Sequence, residues 1–360
     1  MTDDTLPPLW NPDTDDTLVC VGVRRETHDV LTFVLAADPP RRFAFRPGQF
    51  MTYALEIGGE SVNRCYTISS SPTRPDRISL TVKAVPGGPV SNWLHGNLTP
   101  GARLSALGPM GDFHWTPTAG AKSLFLSAGS GITPLMSMTR AAVDLAAEAD
   151  IAFVHSARSP ADLIFRDELA LMARQAPGLK VTHICEADAP ADLGGEPWGG
   201  YRGRLDGARL ALIVPDFLER EVHCCGPAPY MAAVRGMLQA AGFDMARYHE
   251  ESFDFAALSG GETAQPSHED TAARVWKVEF TTSRRTIEVP ADRFVLETAK
   301  AAGMRLPSSC TKGMCGTCKC RLVSGTVEMT PAGGIRPREV DQGLILICCS
   351  KPTSDLVIER

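Results

Sequence analysis

No stretch of the 360 residues approaches the ~20 consecutive apolar positions that a membrane-spanning helix needs. Basic residues are not in excess either. The 36 Lys and Arg against 42 Asp and Glu leave a net charge of −6, which argues against non-specific nucleic-acid binding and suits no membrane surface. The opening Met-Thr-Asp-Asp-Thr-Leu-Pro-Pro is acidic and Pro-containing, unlike a secretory signal. There are 11 cysteines but no disulfide framework: Cys20, Cys65, Cys185, Cys224 and Cys225 fall singly or side by side. A reducing cytoplasm is the compartment consistent with that pattern. No acid–base dyad for organic chemistry is visible. What remains is an ordinary globular composition, 44% apolar and 22% charged, in a chain long enough for two or three domains.

The other six cysteines lie between Cys310 and Cys349. Cys310, Cys315, Cys318 and Cys348 follow the C-x4-C-x2-C…C spacing of plant-type [2Fe–2S] ligands. Three thiolates on one tight loop reach a small cluster, and a distant strand closes it. Gly313 and Gly316 suit the loop because glycine accepts positive φ. Structural zinc is the competing reading, but zinc ribbons favour two C-x2–4-C knuckles and only one exists here. Cys320 and Cys349 read as core or neighbouring thiols.

From Thr17 to about Trp115 the chain is strand-rich, with short β-branched runs separated by polar turns, which predicts a small antiparallel β-barrel. Residues 1–16 read as a flexible acidic lead-in. Within the strand-rich part, Asn63-Arg64-Cys65-Tyr66-Thr67 alternates so that Arg64 and Tyr66 share a face. An Arg fork for phosphate, a Tyr stacking plane and a Thr hydroxyl suit a flavin nucleotide, although an ordinary edge strand reads equally well. Lys83-Ala-Val-Pro-Gly87-Gly88-Pro-Val90-Ser91 then predicts a strand, a glycine turn and a helix starting near Ser91, whose amides can seat a pyrophosphate. Lys83, Gly88, Val90 and Ser91 are the binding candidates there.

At Ser123-Leu-Phe-Leu-Ser-Ala-Gly129-Ser-Gly131-Ile-Thr133-Pro134 the pattern switches to α/β. An apolar strand enters a glycine turn, and Thr133 can cap a helix with Pro134 at its first position. Such a turn lets backbone approach phosphates. Strands are expected at Ile151–His155 and Lys180–Cys185, and helices at Ala161–Arg174 and Ala208–Val214. Glu221–Cys225 leads into Gly226-Pro227 and a further helix. Arg158, and more weakly Arg166, are candidates for an NADP 2′-phosphate contact. Cys185-Glu186-Ala-Asp188 would repel that phosphate, so charge favours NADH over NADPH.

Residues 256–273 are polar and small and read as a flexible tether. Beyond it, Val275–Phe280 and Arg285–Val289 read as a hairpin, and Phe294–Ala302 as a helix closed by Gly303. The expected boundaries are 17–117, 118–255 and 274–360: an antiparallel β-barrel, an α/β parallel-sheet domain, and an α+β (β-grasp) domain.

Arg64-Cys-Tyr66-Thr67 with Gly88-x-x-Ser91, Gly108-Pro-Met-Gly-Asp-Phe113 and Cys225-Gly226-Pro227-x-x-x-Met231 resemble the ferredoxin–NADP reductase superfamily, and residues 274–360 resemble plant-type ferredoxins. Together the likenesses span nearly the whole chain. They imply that Arg64 binds a flavin phosphate, Tyr66 stacks on the isoalloxazine, Thr67 sits near its N5, and Gly88 to Ser91 hold a second phosphate. Two phosphate elements favour FAD over FMN. The same resemblance places Gly129, Gly131, Thr133, Pro134, Gly226 and Pro227 at the nucleotide, and Cys225 against the nicotinamide. It makes Phe253 the aromatic that covers the flavin, with Glu251 nearby. The domain order is similar to that of reductase components of Rieske-type oxygenases. It implies a flow of electrons from NADH through FAD and [2Fe–2S] to a separate oxygenase. The His155–Arg166 segment and the Tyr248–Phe253 ending point, within that family, to the branch serving N-demethylation of glycine betaine and related quaternary amines. A reductase of a hybrid-cluster protein shares the architecture. A non-catalytic redox sensor or a zinc-stabilised binding module is the reading from another class, against which the paired flavin and nucleotide motifs weigh.

Overall fold

The computed structural model describes residues 6–251 and 274–360, except 13, 117, 119, 147, 305, 307–310, 314, 315, 317, 333 and 336. The expected tether and Phe253 therefore lie outside the described residues, as do Cys310 and Cys315.

The first sheet is wholly antiparallel. It contains β1 (Thr17–Thr27), β2 (Val30–Ala37), β3 (Phe50–Ile57), β4 (Glu60–Thr67), β5 (Ile78–Lys83) and β6 (Arg103–Met110), in the order β4-β3-β6-β1-β2-β5. Alternation sets which side chains turn inward: Phe33, Leu35 and Ala37 of β2 are buried while Val34 and Ala36 are only partly covered. Ile68, just past β4, bridges to Leu80 of β5, so the two ends of the strand order also meet. Helix α1 (Pro89–Asn97) packs Val90 and Leu94 into the same core.

The second sheet is wholly parallel, in the order β10-β9-β8-β7-β11-β12. Its strands are β7 (Lys122–Ala128), β8 (Asp150–Ala157), β9 (Leu179–Cys185), β10 (Tyr201–Arg202), β11 (Glu221–Cys225) and β12 (Tyr248–Glu251). Helices α2 (Ile132–Asp144), α3 (Arg166–Gln175), α4 (Gly207–Ile213) and α5 (Ala228–Ala240) connect them. Residues 123–127 and 151–155 are buried without interruption, as strands covered on both faces must be. Two clusters, one around Phe125 and Phe153 and one around Leu126 and Val154, form the cores.

Helix α2 also fixes the second sheet to the first. Val30 and Trp115 join its cluster, and Ser137 Oγ donates to the Ser70 carbonyl at 2.7 Å. The buried Arg140 guanidinium donates to the Ser69 carbonyl and holds both Glu168 oxygens at 2.8 and 2.7 Å, lying 4.7 Å over the Phe165 ring.

The third sheet, β14-β13-β19-β15-β17, comprises β13 (Val275–Phe280), β14 (Arg285–Pro290), β15 (Lys319–Ser324), β17 (Leu344–Leu346) and β19 (Leu356–Glu359). β16 (Val327–Met329) pairs separately with β18 (Ser350–Pro352). Helix α6 (Val295–Ala301) buries Val295, Leu296 and Ala299 against the sheet, and α7 (Pro337–Asp341) precedes β17.

Four local expectations need correction. Helix α1 starts at Pro89 rather than Ser91, since proline suits a first helical position. Thr133 lies inside α2, whose N-cap is Gly131. The preceding 3-10 turn, Gly129–Gly131, already winds the chain, and Thr133 Oγ1 donates back to the Ser130 carbonyl. The helix expected from Ala161 begins only at Arg166, because Pro160–Asp162 is a separate 3-10 turn and Phe165 has φ 57°. The lead-in is not free up to residue 16. Trp10 is buried, its Nε1–H donating to Gly108 O at 2.8 Å and its amide to Arg42 O at 2.8 Å.

Candidate functional site

Strand β4 presents the Arg–x–Tyr–Thr motif beside β3. Arg64 is exposed, Tyr66 half-buried and Thr67 buried. Burial pushes the Tyr66 phenol up to about 12, against the pull of Arg64, so it stays protonated and apolar enough to lie against a ring. Its ring centroid is 6.2 Å from that of the fully buried Tyr53. The glycine turn before α1 is shaped by sterics: a Cβ on Gly88 would sit 2.9 Å from Ser91 Oγ and 3.1 Å from the Val85 carbonyl. Ser91 does not project outward. Its Oγ accepts from the Val85 amide at 3.1 Å and steadies the turn. Helix α1 has no side-chain cap at its N-terminus, which leaves its first amides for an anion.

The two nucleotide motifs meet at backbone contact. A Cβ on Gly131 would lie 2.3 Å from the Cys225 carbonyl oxygen and 2.5 Å from the Gly226 nitrogen. Gly226 in turn would meet Tyr230 at 2.8 Å and Ala128 at 3.2 Å. Both α2 and α5 begin without side-chain caps, and a cavity of about 520 Å³ opens between their starts, walled by Gly129, Ser130 and Pro227. Two uncapped helix starts flanking a cavity at the ends of parallel strands fit a dinucleotide pyrophosphate. Thr133 and Pro134 are buried behind this wall.

Lys83, from the first sheet, also lines this cavity and pairs with Asp29 at 3.1 Å. Arg158 lines it too, with its side chain 67% exposed. It is bound to Asp162 at 2.7 Å and lies 3.7 Å from Asp29. Burial would raise the Asp162 carboxyl, but the hydrogen bonds from Ser159 and Arg158 hold it below its ordinary range. Arg166 is likewise engaged, with both Glu196 oxygens. Glu186 stands in the cavity wall, 3.3 Å from Arg204.

Thr67 and Cys225, 158 positions apart, are joined through one residue, by its side chain on one side and its strand pairing on the other. Glu251 pairs in register with Cys225 across β11 and β12, and its Oε2 accepts from Thr67 Oγ1 at 3.4 Å. Desolvation pushes the half-buried Glu251 carboxyl up to about 8, outweighing the Thr67 hydrogen bond. Burial also holds the Cys225 thiol well above its ordinary value, so it is a neutral, unionised group.

In the third sheet, Cys318 and Cys348 are both buried, and the Gly313 amide donates to Cys348 Sγ at 3.3 Å. An amide aimed at a sulfur is the donor set that thiolate ligands of a cluster require. Gly313 and Gly316 both have φ 70°, the left-handed region the loop was expected to need. A Cβ at Gly313 would lie 2.8 Å from Cys349 Sγ. Cys320 and Cys349 turn to backbone carbonyls, Ile345 at 4.0 Å and Leu346 at 3.5 Å. No disulfide joins the described cysteines. Asn63 Nδ2, one residue before Arg64, donates to the Gly316 carbonyl at 3.1 Å. Neither that contact nor the Glu186–Arg204 pair has a local sequence signal, since each joins segments that only the fold brings together.

Comparison with known proteins finds three domain families along the chain. An oxidoreductase FAD-binding domain matches residues 19–115, an oxidoreductase NAD-binding domain 125–236, and a 2Fe-2S iron-sulfur cluster binding domain 278–353. The chain is 47% identical over 349 residues to the glycine betaine monooxygenase reductase subunit of Chromohalobacter salexigens, covering 94% of each. It is 41% identical to the stachydrine N-demethylase reductase subunit of Rhizobium meliloti, over 95% of this chain and 96% of that one. Among solved structures, phthalate dioxygenase reductase shares the fold with a TM-score of 0.56 and 24% identity, over 98% of this chain and 100% of that one.

Proposed function

Because the chain belongs to the family of oxygenase reductase subunits with FAD-binding, NAD-binding and [2Fe–2S] domains, we propose its specific task. It draws electrons from NADH and delivers them singly to a separate Rieske-type oxygenase that N-demethylates glycine betaine or a related quaternary amine. The contact that carries this reading is Thr67–Glu251–Cys225, which joins the flavin strand to the nucleotide turn at one point. When bound, the flavin accepts a hydride as two electrons and the cluster carries one electron at a time.

The chain's own residues then have distinct duties. Arg64 and the Val90 and Ser91 amides at the start of α1 would hold the flavin phosphates, with Gly88, whose own amide donates to the Val85 carbonyl, shaping the turn and the Val90 side chain anchoring it in the core. Tyr66 would stack on the ring, and Phe253 is the aromatic assigned to cover it. Thr67 and the protonated Glu251 hold a proton beside the ring, while the neutral Cys225 thiol fills the space against the nicotinamide without charge. Gly129, Gly131, Thr133, Pro134, Gly226 and Pro227 shape the dinucleotide seat, and Lys83 reaches its rim. Cys310, Cys315, Cys318 and Cys348 hold the cluster. NADH is favoured over NADPH because the cations of the cavity wall are each paired with a carboxylate already: Lys83 with Asp29, Arg158 with Asp162 and Arg204 with Glu186. This reading takes the first sheet as a closed flavin barrel, supported by the Ile68–Leu80 bridge, and the third as a β-grasp with α6 across it. It divides the chain at 17–117, 118–255 and 274–360 and sets it in the reducing cytoplasm.

The test is spectroscopic, then reconstitutive. The purified protein should show flavin bands and a broad iron–sulfur shoulder, both bleached by NADH under anaerobic conditions. With an N-demethylating oxygenase, NADH oxidation should follow addition of glycine betaine or stachydrine. Zinc in place of iron, or absorbance unmoved by NADH, would refute the assignment, and equal rates with NADPH would remove the nucleotide preference.

A further inference from the structure

The three sheets are not joined alike. The first and second share a hydrophobic cluster through Val30 and Trp115 and are tied by the buried Arg140. The cluster of the third contains only its own residues, Val278 to Ile358. Polar contacts join it to the first sheet and its lead-in among the described residues. Asn63 Nδ2 donates to Gly316 O at 3.1 Å, and Arg338 of α7 pairs with Asp16 at 2.8 Å and donates to the Thr14 carbonyl at 3.3 Å. The Asp16 and Arg338 side chains are each 42% exposed, so salt screens that pair.

The position of these contacts is specific. Gly316 lies between Cys315 and Cys318, two of the cluster ligands, and Asn63 lies between β4 residues that lead to Arg64, Tyr66 and Thr67. Gly316 is also tightly held from behind, since a Cβ there would meet the Gly334 carbonyl at 2.8 Å. One side-chain amide therefore joins the cluster loop to the flavin strand. We propose that Asn63, together with the Asp16–Arg338 pair, is a releasable latch that seats the cluster loop against the flavin strand for internal electron transfer. This rests on the reductase reading. The step it serves moves one electron from flavin to cluster, oxidising the first and reducing the second, with no bond made or broken. Asn63 is a positioning residue: it holds the loop through its backbone and takes no part in hydride transfer. A hydrogen bond and an exposed ion pair hold the seat only weakly, which suits a loop that must next serve an external acceptor.

The experiment uses the full, cofactor-loaded chain, with flavin and cluster bleaching by NADH followed separately by stopped flow. Hydrogen exchange at residues 62–64 and 316–319 gives a readout independent of turnover. Asn63→Ala, and separately Asp16→Arg, should each slow cluster bleaching about fivefold, the population shift expected from losing one such contact. Flavin bleaching should hold its wild-type rate, and exchange should rise in both segments. Adding Arg338→Asp to Asp16→Arg should restore cluster bleaching and protection by re-forming the pair with its signs exchanged. Wild-type cluster bleaching and exchange in both single variants would overturn the latch. So would a proportional slowing of flavin bleaching, which would place Asn63 in the flavin seat instead. If wild-type flavin bleaches and its cluster never does, the reductase reading fails as well.

Discussion

Glu251 is the residue whose ionisation the fold controls most directly. Its half-buried carboxyl is pushed by desolvation from an ordinary 4.5 up to about 8, with only Thr67 stabilising the charged form. The folded chain therefore keeps this proton through neutral pH, while the unfolded chain releases it near 4.5. Folding then binds more protons than unfolding across that interval, so the group's contribution is present below about 4.5 and is lost as pH rises to about 8. Glu251→Gln keeps an acceptor for Thr67 and removes the titration. In flavin-free protein its melting temperature should change less with pH over that window, and at pH values above it should exceed that of the wild type. A parallel pH dependence in both proteins would show that Glu251 is hydrated in solution.

At the scale of elements, the turn from β7 into α2 shows how little space separates the nucleotide motifs. Gly131→Ala would put a methyl group 2.3 Å from the Cys225 carbonyl oxygen, against the Cys225–Gly226 peptide, so β11 and α2 must part. Overpacking costs about 1–3 kcal/mol, so we expect the KM for NADH to rise about tenfold or more while flavin content is retained. Unchanged KM would mean that the turn relaxes without disturbing the seat. The glycines at this turn were legible in the sequence because their need is local: a strand, a sharp turn and a helix start follow one another along the chain. The same holds for Gly313 and Gly316, whose positive φ follows from the cysteine spacing. Helix starts were less legible. Thr133 and Pro134 look like a cap and a first residue, but a 3-10 turn had already satisfied that geometry. Arg158 was legible as a cation beside the nucleotide cavity, and the structure adds its acidic neighbours, Asp162 four residues on and Asp29 from another sheet. Only the first of those two partners could be read from the chain.

For the whole molecule, what the sequence withheld is how firmly each part is joined to the next. Arg140 sits mid-helix in a run of small and apolar residues, with no motif to mark it, yet it anchors the flavin strand end, α2 and α3 together. Its partner Glu168 is driven up by burial, but the Arg140 hydrogen bonds more than offset this and hold the carboxyl below its ordinary range. That contribution to stability is present above the ordinary carboxylate range and is lost as pH falls through the depressed value. Removing one member of a fully buried pair costs about 3–5 kcal/mol; with Glu168 partly exposed, we expect about 2 kcal/mol for Arg140→Ala. Because the first two sheets share a hydrophobic cluster and the third keeps its own, that loss should fall on one unfolding transition and not the other. Scanning calorimetry followed at flavin and cluster absorbance separates them. The flavin-linked transition should move down by several degrees while the cluster-linked one stays in place. If both moved together, the cluster domain would be fused to the rest, and a polar latch at Asn63 could not be what joins them.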